Sequence, residues 1–136
     1  MTQPLDFTRR ITRRRAHPFP PGPQPADRAL MLSCGLLRAN GAVVLEQDWR
    51  HHGCRLGVVA REGDALCFVA VITRDGLSFP EQLANGPLRI RLRAAAGEWL
   101  RICGGRTASS SLRFDLICAA LGQDGSFDLR HHKGVA

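Results

Sequence analysis

Lysine is almost absent from this sequence. Of its 19 basic residues only Lys133 is a lysine, and all the others are arginines. This scarcity excludes nearly every candidate for a catalytic lysine. Arginine suits bidentate contacts to phosphate groups, because its planar guanidinium presents paired N–H donors. Genomic base composition also produces arginine-rich proteins, so the arginines alone do not identify a partner.

Long apolar runs are absent as well. The longest one covers residues 65–72, which is far below the ~20 residues that a membrane-spanning helix needs. The N-terminal arginines are not followed by an apolar segment, which argues against a secretory signal. We therefore expect no contact with a membrane.

The cysteines do not show the spacing of common metal or redox motifs. There are five of them, an odd number, and no two form a Cys-x-x-Cys pair. Three lie in apolar runs, where a thiol behaves as a small hydrophobic group. A reducing compartment fits this usage best, so we expect a cytoplasmic protein. The five are Cys34, Cys54, Cys67, Cys103 and Cys118.

Positive charge is concentrated near the N-terminal end. Residues 1–25 hold five arginines and Asp6, which gives +4 of the net +7. The proline-rich residues 18–25 favour extended backbone and cannot build a core. We therefore predict a flexible arm over residues 1–25 and a single domain over residues 26–136. The arm is either a non-specific phosphate contact or a solvated tail.

Apolar spacing predicts two helices packed on a mixed sheet. The first helix starts with Asp27 as its N-cap and ends at Asn40-Gly41, and the second starts near Pro87. Arg89 and Arg93 share a face of the second helix away from its apolar stripe. The apolar positions are Leu30, Cys34 and Leu37 in the first helix, and Leu88, Leu92, Ala95, Trp99 and Ile102 in the second.

Short runs rich in valine, leucine and phenylalanine predict the strands. Three of them form an antiparallel meander over residues 42–47, 56–61 and 66–73. A fourth strand covers residues 112–120, and residues 127–131 are the candidate for a fifth. The expected fold class is α/β with a mixed sheet, in the order α-β-β-β-α-β followed by an extra C-terminal strand.

Four segments carry a resemblance to a known family. Residues 41–50, Gly-Ala-Val-Val-Leu-Glu-Gln-Asp-Trp-Arg, are similar to the pattern Gly-Tyr-x-Ile-Leu-x-x-Asn-Trp-Arg of the YraN-like proteins. Residues 53–60 stand where that family has Gly-Gly-Glu-Ile-Asp-Leu-Ile-Ala, and residues 66–74 where it has Leu-Val-Phe-Val-Glu-Val-Lys-Thr-Arg. Residues 113–116, Arg-Phe-Asp-Leu, are similar to its Arg-Phe-Asp-Val. The resemblance covers residues 27–132 and implies a restriction-endonuclease-like core.

The sequence departs from the family pattern where the resemblance places nuclease chemistry. The family's metal-binding Asp and its Glu-x-Lys pair correspond to Gly57, Ala70 and Ile72 here. Its accessory Glu corresponds to Arg55, and its Glu in the first helix to Leu30. Mg²⁺ needs oxygen ligands in near-octahedral geometry, and hydrocarbon side chains offer none. We therefore expect no metal, no cofactor and no intact catalytic residue at these positions.

Two other groups of residues are candidates for catalysis or metal binding. Asp48, Asp64 or Asp115 could supply a relocated carboxylate, in which case Mg²⁺ would be the cofactor of a metal-dependent endonuclease. Asp115 shares a strand face with Arg113, however, and the ordinary interpretation is a salt bridge. The paired histidines, 51–52 beside Cys54 and 131–132, fit no zinc pattern, because neighbouring strand residues point to opposite faces. They are interpreted as surface residues of turns and strand ends.

Nucleic acid is the partner that the sequence favours. The candidate phosphate-binding residues flank the degenerate motifs or lie on the exposed face of the second helix. Trp49 and Trp99 could stack on bases, but Trp99 continues the apolar stripe and is expected in the core. The rival hypothesis is a protein-interaction module or homodimer that uses a sheet edge or the apolar former site. The candidates are Arg50, Arg55, Arg74, Arg89 and Arg93.

Overall fold

A computed structural model of the protein describes residues 24–75, 86–104 and 111–135. The arm predicted over residues 1–25 lies outside the described residues, apart from its last two. The described chain contains two helices and five strands, and the predicted order, including the fifth strand, is confirmed. The elements are α1 (Pro25–Ala39), β1 (Val43–His51), β2 (Cys54–Glu62), β3 (Ala65–Asp75), α2 (Gly86–Cys103), β4 (Ser111–Leu121) and β5 (Phe127–His132).

The five strands form one mixed sheet in the order β1-β2-β3-β4-β5. The first three strands pair antiparallel, which confirms the predicted meander. β3 and β4 run parallel over residues 65–75 and 111–121, and β5 returns antiparallel to β4. A parallel pair needs a long crossover connection, because its strands start at the same sheet edge. Here that connection contains α2, and the architecture is consistent with a nuclease-like α+β core.

Each face of the sheet is covered by one helix. Along β3, Cys67 and Val69 pack in the cluster with Cys34 and Leu37 of α1. The alternate residue, Phe68, packs in the cluster that holds Leu92 and Trp99 of α2. This alternation is the period of two that places successive strand residues on opposite faces. The central strands are consequently buried on both sides.

Two details of the helices differ from the sequence-based expectation. α1 begins at Pro25 and is preceded by Gln24, so Asp27 lies in the first turn and is not the N-cap. Proline suits the first helical position, because its missing N–H would have no partner there. Ile102 is 44% exposed and leaves the apolar stripe of α2. Leu100 and Cys103 pack against the core instead, as the 3.6-residue period requires after Leu92 and Trp99.

The sequence predicts no contact with a membrane. Neither helix of the described segments is long and apolar enough to cross a membrane.

Candidate nucleic-acid interface

A cleft of about 750 Å³ opens between β2, β3 and the first turns of both helices. The five positions that correspond to the charged site residues of the YraN-like pattern all line this cleft. The sequence places these positions on three separate segments, and the fold brings them together. They are Leu30 of α1, Arg55 and Gly57 of β2, and Ala70 and Ile72 of β3.

The cleft is poor in groups that could hold a metal ion. Among the described residues that line it, Asp27 is the only carboxylate, with His52 and Cys54 as the other titratable groups able to ligate. Within the described segments, no group of three or more His, Cys, Asp or Glu residues is arranged to hold a metal. Mg²⁺ is held in proteins by carboxylates together with substrate oxygens or water. The residues that line the cleft therefore do not fit a magnesium site of the nuclease type.

A side chain at Gly57 would press against β3. A Cβ added at Gly57 would lie 3.1 Å from the carbonyl oxygen of Val69 and 3.1 Å from the Cγ2 atom of Val71. These distances are shorter than ordinary van der Waals contact. The space beside Gly57 is thus occupied by the neighbouring strand. An aspartate there would have to displace β3.

The strand pair is also irregular at this point. Asp48, which lies opposite Gly57 between the pairs Gln47–Val58 and Trp49–Leu56, has a positive φ of 49°. Leu56 packs on the α2 side of the sheet and Val58 on the α1 side. Two residues that are two apart normally share a face. The end of β2 that carries Leu56 and Cys54 therefore packs on the α2 side, whereas Arg55 lines the cleft between the two helices.

Two of the predicted phosphate-binding arginines share one carboxylate. Asp48 Oδ1 lies 3.2 Å from Nε of Arg50 and 3.3 Å from Nε of Arg55. The cross-strand register pairs the two arginines directly, and both are well exposed. The three side chains together carry a net charge of +1. Exposed ion pairs of this kind contribute little to stability, about 0–1 kcal/mol, so the arginines remain available for exchange onto an external anion.

The arginines of α2 divide between two grooves. Arg89 and Arg93, one helical turn apart, line a second groove of about 420 Å³ together with Gly134 and Val135. Arg91 lines the larger cleft instead. Arg91 was not among the residues predicted from the sequence, because those came from the helix face that Arg89 and Arg93 share. The signal was present, since position i+2 lies on nearly the opposite side of a helix.

These three arginines lack acidic partners among the described residues. Arg93 lies over the Phe114 ring, with the guanidinium carbon 5.7 Å from its centroid. The first turn of α2 contains no acidic residue, and the N-terminal end of a helix already carries partial positive charge. Arg101, at the other end, is neutralised by Glu98 at 2.8 Å. Within α2, the uncompensated positive charge is thus confined to the first half of the helix.

The remaining candidates lie elsewhere. Arg74 is exposed near the end of β3 and lines neither groove. Trp99 is 3% exposed and meets Phe68 edge-to-face at 5.8 Å, so its expected core position is confirmed. Trp49 is half-buried and stacks on His51 at 5.9 Å. Both tryptophans are thus less accessible to a nucleic acid than the exposed arginines.

Asp115 is fully buried and belongs to a structural network. Arg113 donates to its two oxygens from Nε at 2.9 Å and Nη2 at 3.0 Å, so the predicted salt bridge is confirmed. The Nε2 atom of His131 lies 2.9 Å from Oδ2, and the Gly134 N–H donates to Oδ1 at 3.1 Å. His131 is therefore not the surface residue that the sequence predicted. The β4–β5 register pairs Ile117 with His131 and brings the imidazole onto the face of Asp115.

The network continues to the end of β2. Arg113 Nη2 also lies 2.7 Å from Glu62, which accepts from Lys133 at 3.2 Å. Asp115 lines neither groove, and the other two aspartates considered as relocated catalytic acids, Asp48 and Asp64, do not line the cleft either. The geometry therefore gives none of the three a catalytic position there.

Hydrogen bonding holds Asp115 in its charged form. Burial alone raises the pKa of this carboxyl, but the hydrogen bonds from His131, Arg113 and the Gly134 N–H outweigh it and lower the pKa to about 2. A carboxyl whose pKa is lowered by folding stabilises the folded state at pH values above its ordinary pKa of 3.8. That contribution is lost as the pH falls through the folded-state pKa.

We predict that Asp115→Asn lowers the free energy of unfolding near pH 7 by at least about 2–3 kcal/mol, because a pKa shift of this size is worth that much. The difference between the two proteins should shrink as the pH falls from roughly 4 to roughly 2. Urea denaturation across this range measures it. Asp128→Asn, at an exposed position of β5, is the control and should change stability by less than about 0.5 kcal/mol. A difference that stays constant with pH would show that the network does not keep Asp115 ionised.

We also predict that Gly57→Ala lowers the free energy of unfolding by about 1–3 kcal/mol, because the added Cβ overpacks against β3. Gly97→Ala is the matched control on α2, where an added Cβ meets nothing within 4 Å, and should raise stability by about 0.5–1 kcal/mol. Equal stability of Gly57→Ala and wild type in urea would mean that the space beside Gly57 is open after all.

Comparisons with known proteins place the chain in a family. The model of the uncharacterised protein family UPF0102 matches residues 31–119. A UPF0102 protein of Streptomyces griseus is 36% identical over 107 residues, covering 77% of this chain and 89% of that protein. One of Rhodococcus jostii is 31% identical over 102 residues, covering 74% and 85%. The chain therefore belongs to the UPF0102 family, which is the YraN-like family that its motifs resemble.

Proposed function

We propose that this protein binds nucleic acid through arginine–phosphate contacts centred on the first half of α2, without catalysing its cleavage. The observation that carries the proposal is the set of three exposed arginines, Arg89, Arg91 and Arg93, that have no acidic partner among the described residues. Three like charges at the positive end of a helix raise the energy of the free protein. A polyanion bound there would relieve that repulsion.

Phosphate is the anion that suits these side chains best. A guanidinium donates two parallel hydrogen bonds to a phosphate, and each contact releases condensed counterions from the nucleic acid. Arg89 and Arg93 are spaced by one turn of α2, and their groove is open to solvent. Arg50, Arg55 and Arg74 would add further contacts. The two helices and five strands that the structure describes do not form a module for reading base edges, so binding would depend on charge and shape.

The cleft favours binding over catalysis. Hydrolysis of a phosphodiester by a metal-dependent nuclease requires side-chain oxygens that fix the metal and position the attacking water. The floor of this cleft is formed by Gly57, Ala70 and Ile72, which provide neither. Where the family has its accessory Glu, Arg55 supplies a positive charge directly. A guanidinium can neutralise a phosphate without a metal ion, but it does not generate a nucleophile.

The rival function, a protein-interaction or assembly module, would use exposed apolar surface. The large apolar side chains that are most exposed, such as Met31 at 65% and Ile90 at 69%, are distributed over α1, β1, α2 and β4. Apolar side chains scattered singly over a surface are normal for monomeric proteins. The concentrated arginines therefore favour nucleic-acid binding over self-association.

We predict that Arg89→Ala combined with Arg93→Ala weakens duplex binding about 10- to 100-fold at low salt, because hydrogen bonds to charged groups contribute about 1.5–3 kcal/mol. The slope of log affinity against log salt should fall by about 0.9 for each phosphate contact removed. Fluorescence anisotropy with a labelled duplex measures both quantities. Two controls are available: Arg101→Ala on the same helix, where the arginine is paired with Glu98, and Arg38→Ala on α1. Loss of the same size in a control, or no duplex binding by wild type at low salt, would refute the assignment.

We further predict that binding does not depend on divalent metal and leads to no cleavage. EDTA should leave the affinity unchanged, since the lining of the cleft does not fit a magnesium site. Branched and flapped DNA incubated with Mg²⁺ or Mn²⁺ should stay intact on a denaturing gel. Cutting that requires metal and disappears in Asp27→Asn, the one carboxylate that the described segments contribute to the cleft, would establish a nuclease with relocated ligands.

A further inference from the structure

We propose that the cleft holds a single unpaired nucleotide, with its base on the apolar floor and its phosphate between Arg55 and Arg91. This inference rests on the proposed function and adds the class of ligand that the cleft accepts. It gives a role to Arg91, which the sequence analysis did not single out.

The lining of the cleft suits a flat ring. Its inner surface is contributed largely by small or aliphatic side chains from four elements, and a volume of about 750 Å³ lies within the range of small-molecule sites. Nucleobases bind to proteins chiefly by laying their faces on apolar or aromatic surface. The apolar lining residues include Leu30, Gly57, Ala70, Ile72, Leu88 and Leu92.

Two of these residues keep charge and bulk away from the lining. Gly57 and Ala70 line the cleft from neighbouring strands, and neither has a side chain that extends beyond Cβ. The aspartate and glutamate that the family pattern has at these positions would instead place two carboxylates at this surface. Their absence converts a polar site into an apolar one, which favours the face of a base.

Charged groups of both signs complete the cleft. Arg55 lines it from β2 and Arg91 from α2, while Asp27 lines it from α1. The arginines match a phosphate, and the carboxylate can accept hydrogen bonds from a sugar hydroxyl or an exocyclic amine. A nucleotide combines these three features: an anion, a flat apolar face and donors at its edge.

The position of the cleft connects it to the proposed phosphate-binding surface. α2 contributes Arg91 to the cleft and Arg89 and Arg93 to the second groove. A strand that crosses the first half of α2 would place phosphates on Arg89 and Arg93 and its next nucleotide in the cleft. A base inside a duplex is stacked and paired, so it can enter only after it is extruded at a cost of a few kcal/mol. We therefore expect tighter binding to single strands and unpaired ends than to continuous duplex.

The test uses methyl NMR of the full chain titrated with a mononucleotide such as AMP. We expect shifts at the methyl groups of Ile72, Leu88 and Leu92, and none at Leu37 and Leu129, which pack on the α1 side of the sheet. Inorganic phosphate and adenosine are titrated separately, and each should bind at least about tenfold more weakly than AMP, because each lacks one half of the contact.

Three variants connect the shifts to the cleft. Arg91→Ala should weaken AMP binding about tenfold or more, because it removes one charged hydrogen-bond donor. Ile72→Trp should fill the cleft and abolish the shifts, whereas Val43→Trp, an apolar exchange at an exposed strand position outside the cleft, should leave them unchanged. Arg91→Ala lies on the exposed helix surface, so it gives an answer even if Ile72→Trp does not fold.

Several outcomes would overturn the inference. These are the absence of shifts at Ile72 and Leu88 up to millimolar AMP, equal shifts with inorganic phosphate alone, and tighter binding of an acidic peptide. The last outcome would assign the cleft to a protein partner. Duplex binding measured on the same sample tests the proposed function separately. Duplex binding without AMP shifts at Ile72 and Leu88 would reject only the cleft inference, and loss of both would reject the two together.

Discussion

The position of β3 in the sheet determines where α2 and the cleft lie. It pairs with β2 on one side and β4 on the other, and a helix packs on each of its faces. Because β4 runs parallel to it, the chain must cross over the sheet between them, and α2 lies in that crossover. The first half of α2 consequently stands beside the end of β3, where Ala70 and Ile72 line the cleft. The charge of the helix and the apolar floor of the cleft are thus brought together by one strand pairing.

The two faces of the sheet differ in how their charged side chains are paired. On the α1 side Asp115 is buried with Arg113 and His131, so its negative charge is matched by donors. A buried pair of this kind is costly to break, because the remaining partner would be left uncompensated. On the α2 side the arginines of the first helical turns have no such match among the described residues. The buried polar contacts of the protein therefore hold the C-terminal strand, whereas positive charge remains exposed beside the cleft.

Much of this fold could be predicted from local sequence patterns. Short runs rich in valine, leucine and phenylalanine located the strands, and the helical spacing of Cys34 and Leu37, and of Leu92 and Trp99, located the buried helix faces. The motifs of the family resemblance were sufficient to pick out five positions that the fold assembles into one cleft. These successes share a cause: each depends on the intrinsic period of a helix or strand, or on residues that lie within a few positions of each other.

The failures arose where two elements meet. His131 was taken for a surface residue, because the β4–β5 register that brings it to Asp115 cannot be read from either strand alone. Arg91 was overlooked, because the candidates came from the helix face of Arg89 and Arg93, and only the fold shows that the opposite face meets the cleft beside β2 and β3. Ile102 was assigned to the core by its spacing, although α2 ends at the next residue and its last turn packs through Cys103.

The most direct test of the central claim is a crystal structure of the protein with a short single-stranded oligonucleotide and Mn²⁺ in the same crystal. The account predicts phosphate density beside Arg89, Arg91 or Arg93, a base on Ala70 and Ile72, and no anomalous manganese peak in the cleft. An ordered manganese ion beside Gly57 and Ala70 would contradict it.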